Sequence, residues 1–198
     1  MTKVIAPDDN IFDVLSDILD RSGSRAYGDM DVTLSEHMLL SAAAAERAGA
    51  PPHLVAATLL HDMGHFGTDF RADFNTATHD DMSNATTDRR HEEAGAKMFE
   101  PFFGPEVTEP IRLHVQGKRY LSTVEPGYVD TLSPQAVHTL GLQGGQMSSE
   151  EIKAFKANPY FEAAVAVRRY DEAGTVPKPN GTPDFDHYRP LIENLLKD

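Results

Sequence analysis

Apolar residues recur at helical spacing along most of the chain, and alternating strand patterns closed by hairpin turns are nearly absent. Ile11, Val14, Leu15, Ile18 and Leu19 share one face of a helix that Asp8-Asp9-Asn10 caps and that runs to about Arg21. Thr33 and Glu36 have capping-box spacing, which predicts a helix from there to Gly49. Pro51-Pro52 opens a further helix through about Met63. A polar loop, roughly 67–87, separates it from a helix holding Arg90 to Phe103. Gly104-Pro105 breaks that helix, and helical pattern resumes through His114. Later helices are expected from Ser148 or Ser149, over Tyr160 to Asp171, and over about Asp186 to Leu196. Met38, Met63 and Met98 fall on apolar helix faces and are assigned to the core. The pattern predicts one all-α, bundle-like domain over 1–198, with an N-terminal helix and lid segment over 1–32 and an extension over 172–198. The long loops at 67–87, 120–132 and 173–183 are candidates to shape a pocket.

Composition narrows the function. The chain has 198 residues, enough to bury a substantial core, and a net charge of −13 from 31 acidic and 18 basic residues. No basic cluster suits nucleic acid, so no nucleic-acid partner is expected. No apolar run suits a membrane span, and the first residues lack the apolar core of a signal peptide, which fits a cytoplasmic protein. The absence of cysteine excludes disulfides, thiolate catalysis and sulfur-ligated metals. The nine histidines stand out, because imidazole both ligates metals and carries protons.

The strongest chemical signal is Leu59-Leu60-His61-Asp62-Met63-Gly64-His65, an adjacent His-Asp pair at the end of an apolar helix. His37 lies in the preceding helix, His91 opens the following one, His114 ends the next, and Asp171 comes late in Arg168-Arg169-Tyr170-Asp171. One inward donor per helix is how helical bundles build dinuclear sites. Nitrogen and oxygen donors without sulfur suit iron, manganese or another divalent transition metal. His53 reads as a surface residue at a helix start. His79, His138 and His187 fall outside the ligand order.

The ordered His…His-Asp…His…His…Asp set resembles the HD-domain superfamily of helical metalloproteins. Three further segments, His114-Val115-Gln116-Gly117-Lys118-Arg119-Tyr120-Leu121, Leu142-Gln143-Gly144-Gly145-Gln146-Met147 and Arg168-Arg169-Tyr170-Asp171, together with Tyr27, narrow the likeness. Over about Ala26 to Tyr188 the chain resembles the HD-domain mixed-valent diiron oxygenases that cleave 1-hydroxyphosphonates. That resemblance implies an HD-type bundle with its metal site between core helices. It implies two iron ions, Fe(II) and Fe(III) in the active state, and dioxygen as co-substrate. His37, His61 and Asp171 correspond to ligands of one iron, His91 and His114 to ligands of the other, and Asp62 to the bridging carboxylate. His65, Lys118 and Arg168 match positions near the phosphonate, Gln143 lies in a matching segment, and Tyr27 matches a lid tyrosine. The implied reaction is oxidative cleavage of the C–P bond.

The lid segment departs from the pattern of family members that act on a 2-amino substrate. Met30 stands where those members place a glutamate, flanked by Asp29 and Asp31. A trimethylammonium group has no N–H to donate and suits soft contacts in a negative field. The expected substrate is therefore the trimethylammonio compound, yielding glycine betaine and phosphate, with the 2-amino compound, yielding glycine, as the other choice. A separate hydroxylase is expected upstream. An HD-type metal-dependent phosphohydrolase is the alternative reading, and a non-enzymatic sensor a further one.

Overall fold

The computed structural model describes residues 10–22, 32–66, 85–175 and 182–197, and these residues are helical with no strand. One isolated antiparallel bridge joins Phe103 to Leu196. Helix α1 spans Ile11–Ser22, α2 Leu34–Arg47, α3 Pro52–Leu60, α4 His91–Phe99 and α5 Pro105–Val124. Helix α6 spans Pro134–Leu142, α7 Ser149–Lys156, α8 Phe161–Ala173 and α9 Arg189–Asn194. None of the described helices is long and apolar enough to cross a membrane.

Local chemistry sets several boundaries where the pattern predicted them. Thr33 accepts from the Glu36 backbone N–H while Glu36 reaches back to Thr33, a complete capping box for α2. Ser148 and Glu151 form the same device at α7. In α1, Ile11, Phe12, Leu15 and Leu19 are buried, as the stripe required. Met38 and Met63 are core residues and Met98 packs partly buried against them.

Other boundaries move. Helix α3 ends at Leu60 rather than about Met63, so His61 and Asp62 sit in a turn before a 3-10 segment, Met63–Phe66. Helix α4 starts one residue later than expected, with Arg90 as a left-handed cap (φ 51°). It stops at Phe99, short of the expected Phe103.

Helix α5 continues ten residues past His114, to Val124. Its inward face carries His114, Lys118 and Ser122 between Ile111 and Leu121, so the helical period persists while the apolar signal fades. Much of the expected 120–132 loop is therefore α5 and a 3-10 segment, Tyr128–Thr131. Helix α6 lies where no element was expected, although Ser133 caps it and Pro134 opens it. The C-terminal helix splits into a 3-10 segment, Phe185–Tyr188, and α9.

The main core gathers α1, α2, α3, α4, the first half of α5, and Val167 of α8. A smaller cluster of Leu113, Met147, Phe155 and Ala164 ties α7 to α5 and α8. The broadest helix contact is α5 on α8, and α2, α3 and α4 close around that pair. Gly117 permits the approach: a Cβ there would stand 2.9 Å from the Ala164 carbonyl oxygen of α8.

Candidate metal centre

Every helix around the α5–α8 pair delivers a donor to one buried point. α2 brings His37, the turn after α3 brings His61 and Asp62, α4 brings His91, α5 brings His114 and α8 brings Asp171, all buried. His37 Nε2 lies 3.3 Å from His61 Nε2 and 3.2 Å from Asp171 Oδ1. His91 Nε2 lies 3.1 Å from His114 Nε2 and 3.3 Å from Asp62 Oδ1. Asp62 stands between the two groups: its Oδ2 is 3.6 Å from His37 Nε2 and its Oδ1 is 3.5 Å from His61 Nε2.

Backbone carbonyls orient three of the four imidazoles. His37 Nδ1 faces Gly174 O at 3.2 Å, His61 Nδ1 faces Thr58 O at 2.8 Å, and His114 Nδ1 faces Ile111 O at 2.7 Å. A carbonyl accepts only, so each of these Nδ1 atoms carries a proton and each ring turns its Nε2 inward. Paired Nε2 atoms at 3.1–3.3 Å suit a shared cation, whether a proton or a metal ion. Two nitrogens bound to one ion at about 2.1 Å and a right angle stand about 3.0 Å apart, the spacing found here. Burial alone would raise the Asp62 and Asp171 carboxyls. Imidazoles around Asp62 and the Arg168 guanidinium beside Asp171 hold both well below the ordinary carboxylate range. Burial opposes charge on His61 too, yet Asp62 and Asp171 raise it to about 9, so the pocket favours a cation.

The residues thus fit two metal ions. His37, His61 and Asp171 make one set and have the two-histidine, one-carboxylate composition of non-haem Fe(II) sites. Asp62 and His91 anchor the other, with His114 across from His91. His65 lines the same centre, its Nε2 3.9 Å from Asp62 Oδ1. Its ring stacks on His91 at 4.1 Å, and Asp62, His65 and His91 form a possible metal-holding group of their own. His91 differs from the other rings, since its Nδ1 faces the buried Glu92 carboxylate at 3.5 Å rather than a backbone carbonyl. Glu92 Oε2 is buried and has no hydrogen-bond partner among the described residues.

A cavity of about 100 Å³ opens onto this centre, lined by Asp62, His65, His91, His114 and Asp171 together with Lys118, Gln143 and Arg168. Lys118 is buried in mid-helix, and its Nζ donates to Thr139 Oγ1 (2.8 Å) and Gln143 Oε1 (2.9 Å). Burial, reinforced by Arg168, pushes its ammonium down to about 7. Gln143 therefore acts first on Lys118. Arg168 donates through Nη1 to Asp171 and stays charged against its burial because Asp171, Tyr128 and Glu172 surround it. Thr139, Gln135, Glu92, Tyr128 and Glu172 were not singled out in the sequence. The Ser-Pro start and Gly-Gly end of α6 were the available signal for Thr139 and Gln135.

Tyr27, Asp29, Met30 and His79 lie outside the described residues. His138 is exposed and bonds to Ala85 O, and His187 is exposed and pairs with Glu46. Neither reaches the centre.

Comparison with known proteins agrees with this geometry. The model of the HD domain matches residues 34–158, which contain five of the six donors. The chain belongs to the HD-domain family. It is 41% identical over 187 residues to 1-hydroxy-2-(trimethylamino)ethylphosphonate dioxygenase (glycine-betaine-forming) of Leisingera caerulea, covering 94% of this chain and 91% of that protein. It is 38% identical over 174 residues to hydroxymethylphosphonate dioxygenase of Gimesia maris, covering 87% of this chain and 82% of that one. Asp171, the remaining donor, lies beyond the matched HD segment but within a buried stretch of α8.

Proposed function

We propose that this HD-domain protein is a diiron dioxygenase that cleaves the C–P bond of a 1-hydroxyphosphonate. The observation that carries the reading is the pair of donor groups with Asp62 facing both, beside a cavity that Lys118 and Arg168 also line. The likeness to two proteins named phosphonate dioxygenases supports it. His37, His61 and Asp171 would hold one iron and His91 and His114 the other, with Asp62 as the carboxylate that faces both. Iron held there would supply the redox chemistry by which dioxygen reacts with the substrate.

The protein's own groups bind and orient. Lys118 and Arg168 take the tetrahedral anion, one as a point charge and the other as a planar fork. Thr139 and Gln143 keep the Lys118 ammonium directed. Dense packing around the donors keeps bulk water from the reacting carbon. The balance closes with one dioxygen: C1 leaves as a carboxylate, phosphorus leaves as phosphate, and both oxygen atoms are found in the products.

The lean at C2 is toward trimethylammonium. Val115, Ala136 and Leu142 give the cavity apolar walls for methyl groups, and Asp88 adds a carboxylate. Tyr27, Asp29 and Met30 are proposed, from the family resemblance, as further substrate contacts. A separate hydroxylase is the expected source of the 1-hydroxy substrate.

The test is phosphate release by iron-loaded protein from the trimethylammonio, 2-amino and hydroxymethyl substrates, with and without oxygen. Oxygen-dependent release supports the reading, and the preferred substrate identifies the C2 group. Equal release without oxygen would mean hydrolytic C–P cleavage and overturn the oxygenase reading, and no release from any of the three would favour a phosphohydrolase of phosphoesters instead.

A further inference from the structure

Tyr128 was expected in a loop, yet it is buried against Arg168. Arg168 Nε donates to Tyr128 Oη at 3.0 Å and to Glu172 Oε1 at 3.1 Å, and the Tyr128 hydroxyl in turn donates to the same Glu172 oxygen. Nη1 is taken by Asp171. These bonds occupy the Nε edge of the guanidinium and one arm, and Nη2 takes part in none of them. A second cavity, lined by Tyr128, Leu132 and Glu172, lies behind this triangle and meets the first at Arg168 and Asp171. Arg168 therefore borders both open spaces.

We infer that Tyr128 and Glu172 are positioning residues that clamp the Nε edge of Arg168, so that its free N–H groups face the metal-side cavity and bind the substrate's anionic oxygens. This rests on the reading of Arg168 as an anion ligand. Long side chains lose several rotamers when ordered, and a clamp already made in the free protein removes that cost from binding. Tyr128 suits the role because one hydroxyl accepts from Arg168 and donates to Glu172, which closes the triangle. The Gly127 backbone, at φ 81°, turns the chain so that Tyr128 points inward.

The experiment measures inorganic phosphate affinity by calorimetry on metal-loaded protein. The set is wild type, Tyr128→Phe, Glu172→Gln, Arg168→Lys and the Tyr128→Phe/Arg168→Lys double variant. Tyr128→Phe is expected to weaken phosphate about five- to tenfold, with metal content unchanged. Glu172→Gln, which retains an acceptor, is expected to weaken it less. In the Arg168→Lys background the Tyr128 change should add nothing, because the clamp has lost its object. A Tyr128→Phe protein with wild-type phosphate affinity overturns the inference. So does an equal loss in both backgrounds, which marks a merely structural tyrosine. Turnover of the 1-hydroxyphosphonate is recorded alongside, with KM expected to rise more than kcat falls. If no protein turns the phosphonate over while the phosphate affinities follow the pattern, the oxygenase reading falls and the clamp stands.

Discussion

Gly64→Ala sets two effects of opposite sign against each other at the metal centre. Alanine restricts the unfolded chain and favours helical backbone, a gain of about 0.4–1 kcal/mol. Against this, a Cβ on Gly64 would stand 1.9 Å from the His91 carbonyl oxygen and 2.7 Å from the Gly95 nitrogen. Both are backbone atoms of α4, so no rotamer change relieves the contact. Reaching ordinary contact near 3.4 Å needs the 3-10 segment and α4 to part by roughly 1.5 Å. Overpacking of this kind costs about 1–3 kcal/mol, so the clash wins. The same displacement pulls Asp62 from His91, now 3.3 Å apart, and His65 from the ring it stacks on. Thermal unfolding with and without metal, together with metal analysis, is the assay. We expect a lower midpoint and selective loss of the ion held by His91, with the ion of His37, His61 and Asp171 better retained. A variant with unchanged midpoint and two ions per chain would refute the packing argument.

Further outcomes follow from the same geometry. Asp62→Ala should cost both ions and all turnover, because its carboxylate faces both donor sets, and retention of two ions would remove it as the bridge. Glu92→Gln should weaken the ion at His91 by about 10–100-fold and spare the other, and equal loss at both would show that Glu92 does not act through that ring. Lys118, pushed down to about 7, is largely neutral in the free protein above that pH, so a bound anion should draw a proton onto it. Calorimetry of phosphate in buffers of different ionisation heat should show proton uptake that Lys118→Met removes, and an unchanged uptake would place the proton elsewhere. The unfolded chain keeps this amine protonated to 10.5 and the folded one releases it near 7, so between those values the unfolded state binds more protons. The contribution of Lys118 to stability therefore rises with pH across that window, and urea titrations should show the rise flatten in Lys118→Met.

Much of the helical order was legible in the chain because local terms decide it. Thr33 with Glu36 and Ser148 with Glu151 cap their helices using residues three apart, and the Ile11–Leu19 stripe repeats every turn. The His-Asp pair and the ordered histidines were legible for a chemical reason: few other uses place so many donors one per helix. The same reasoning failed where the inner face of a helix is polar. The end of α5 was placed too early because its buried positions after His114 include the polar Lys118 and Ser122, which thin the apolar period. Helix α6 buries only Gln135 and Leu140, so it carries little apolar period despite its Ser-Pro cap.

By itself, then, the sequence determined an all-α chain, its capping, and an inventory of nitrogen and oxygen donors without sulfur. Only the tertiary structure decided which donors meet, that Asp62 stands between both sets, and that His65 joins the His91 side. It also decided that Tyr128 and Glu172 back Arg168 across separations of 40 and four residues. Capping and periodicity are set by neighbours within a turn. The grouping of donors depends on how closely helices approach at Gly64, Gly117 and Gly174, where a single added carbon would meet the backbone of another element.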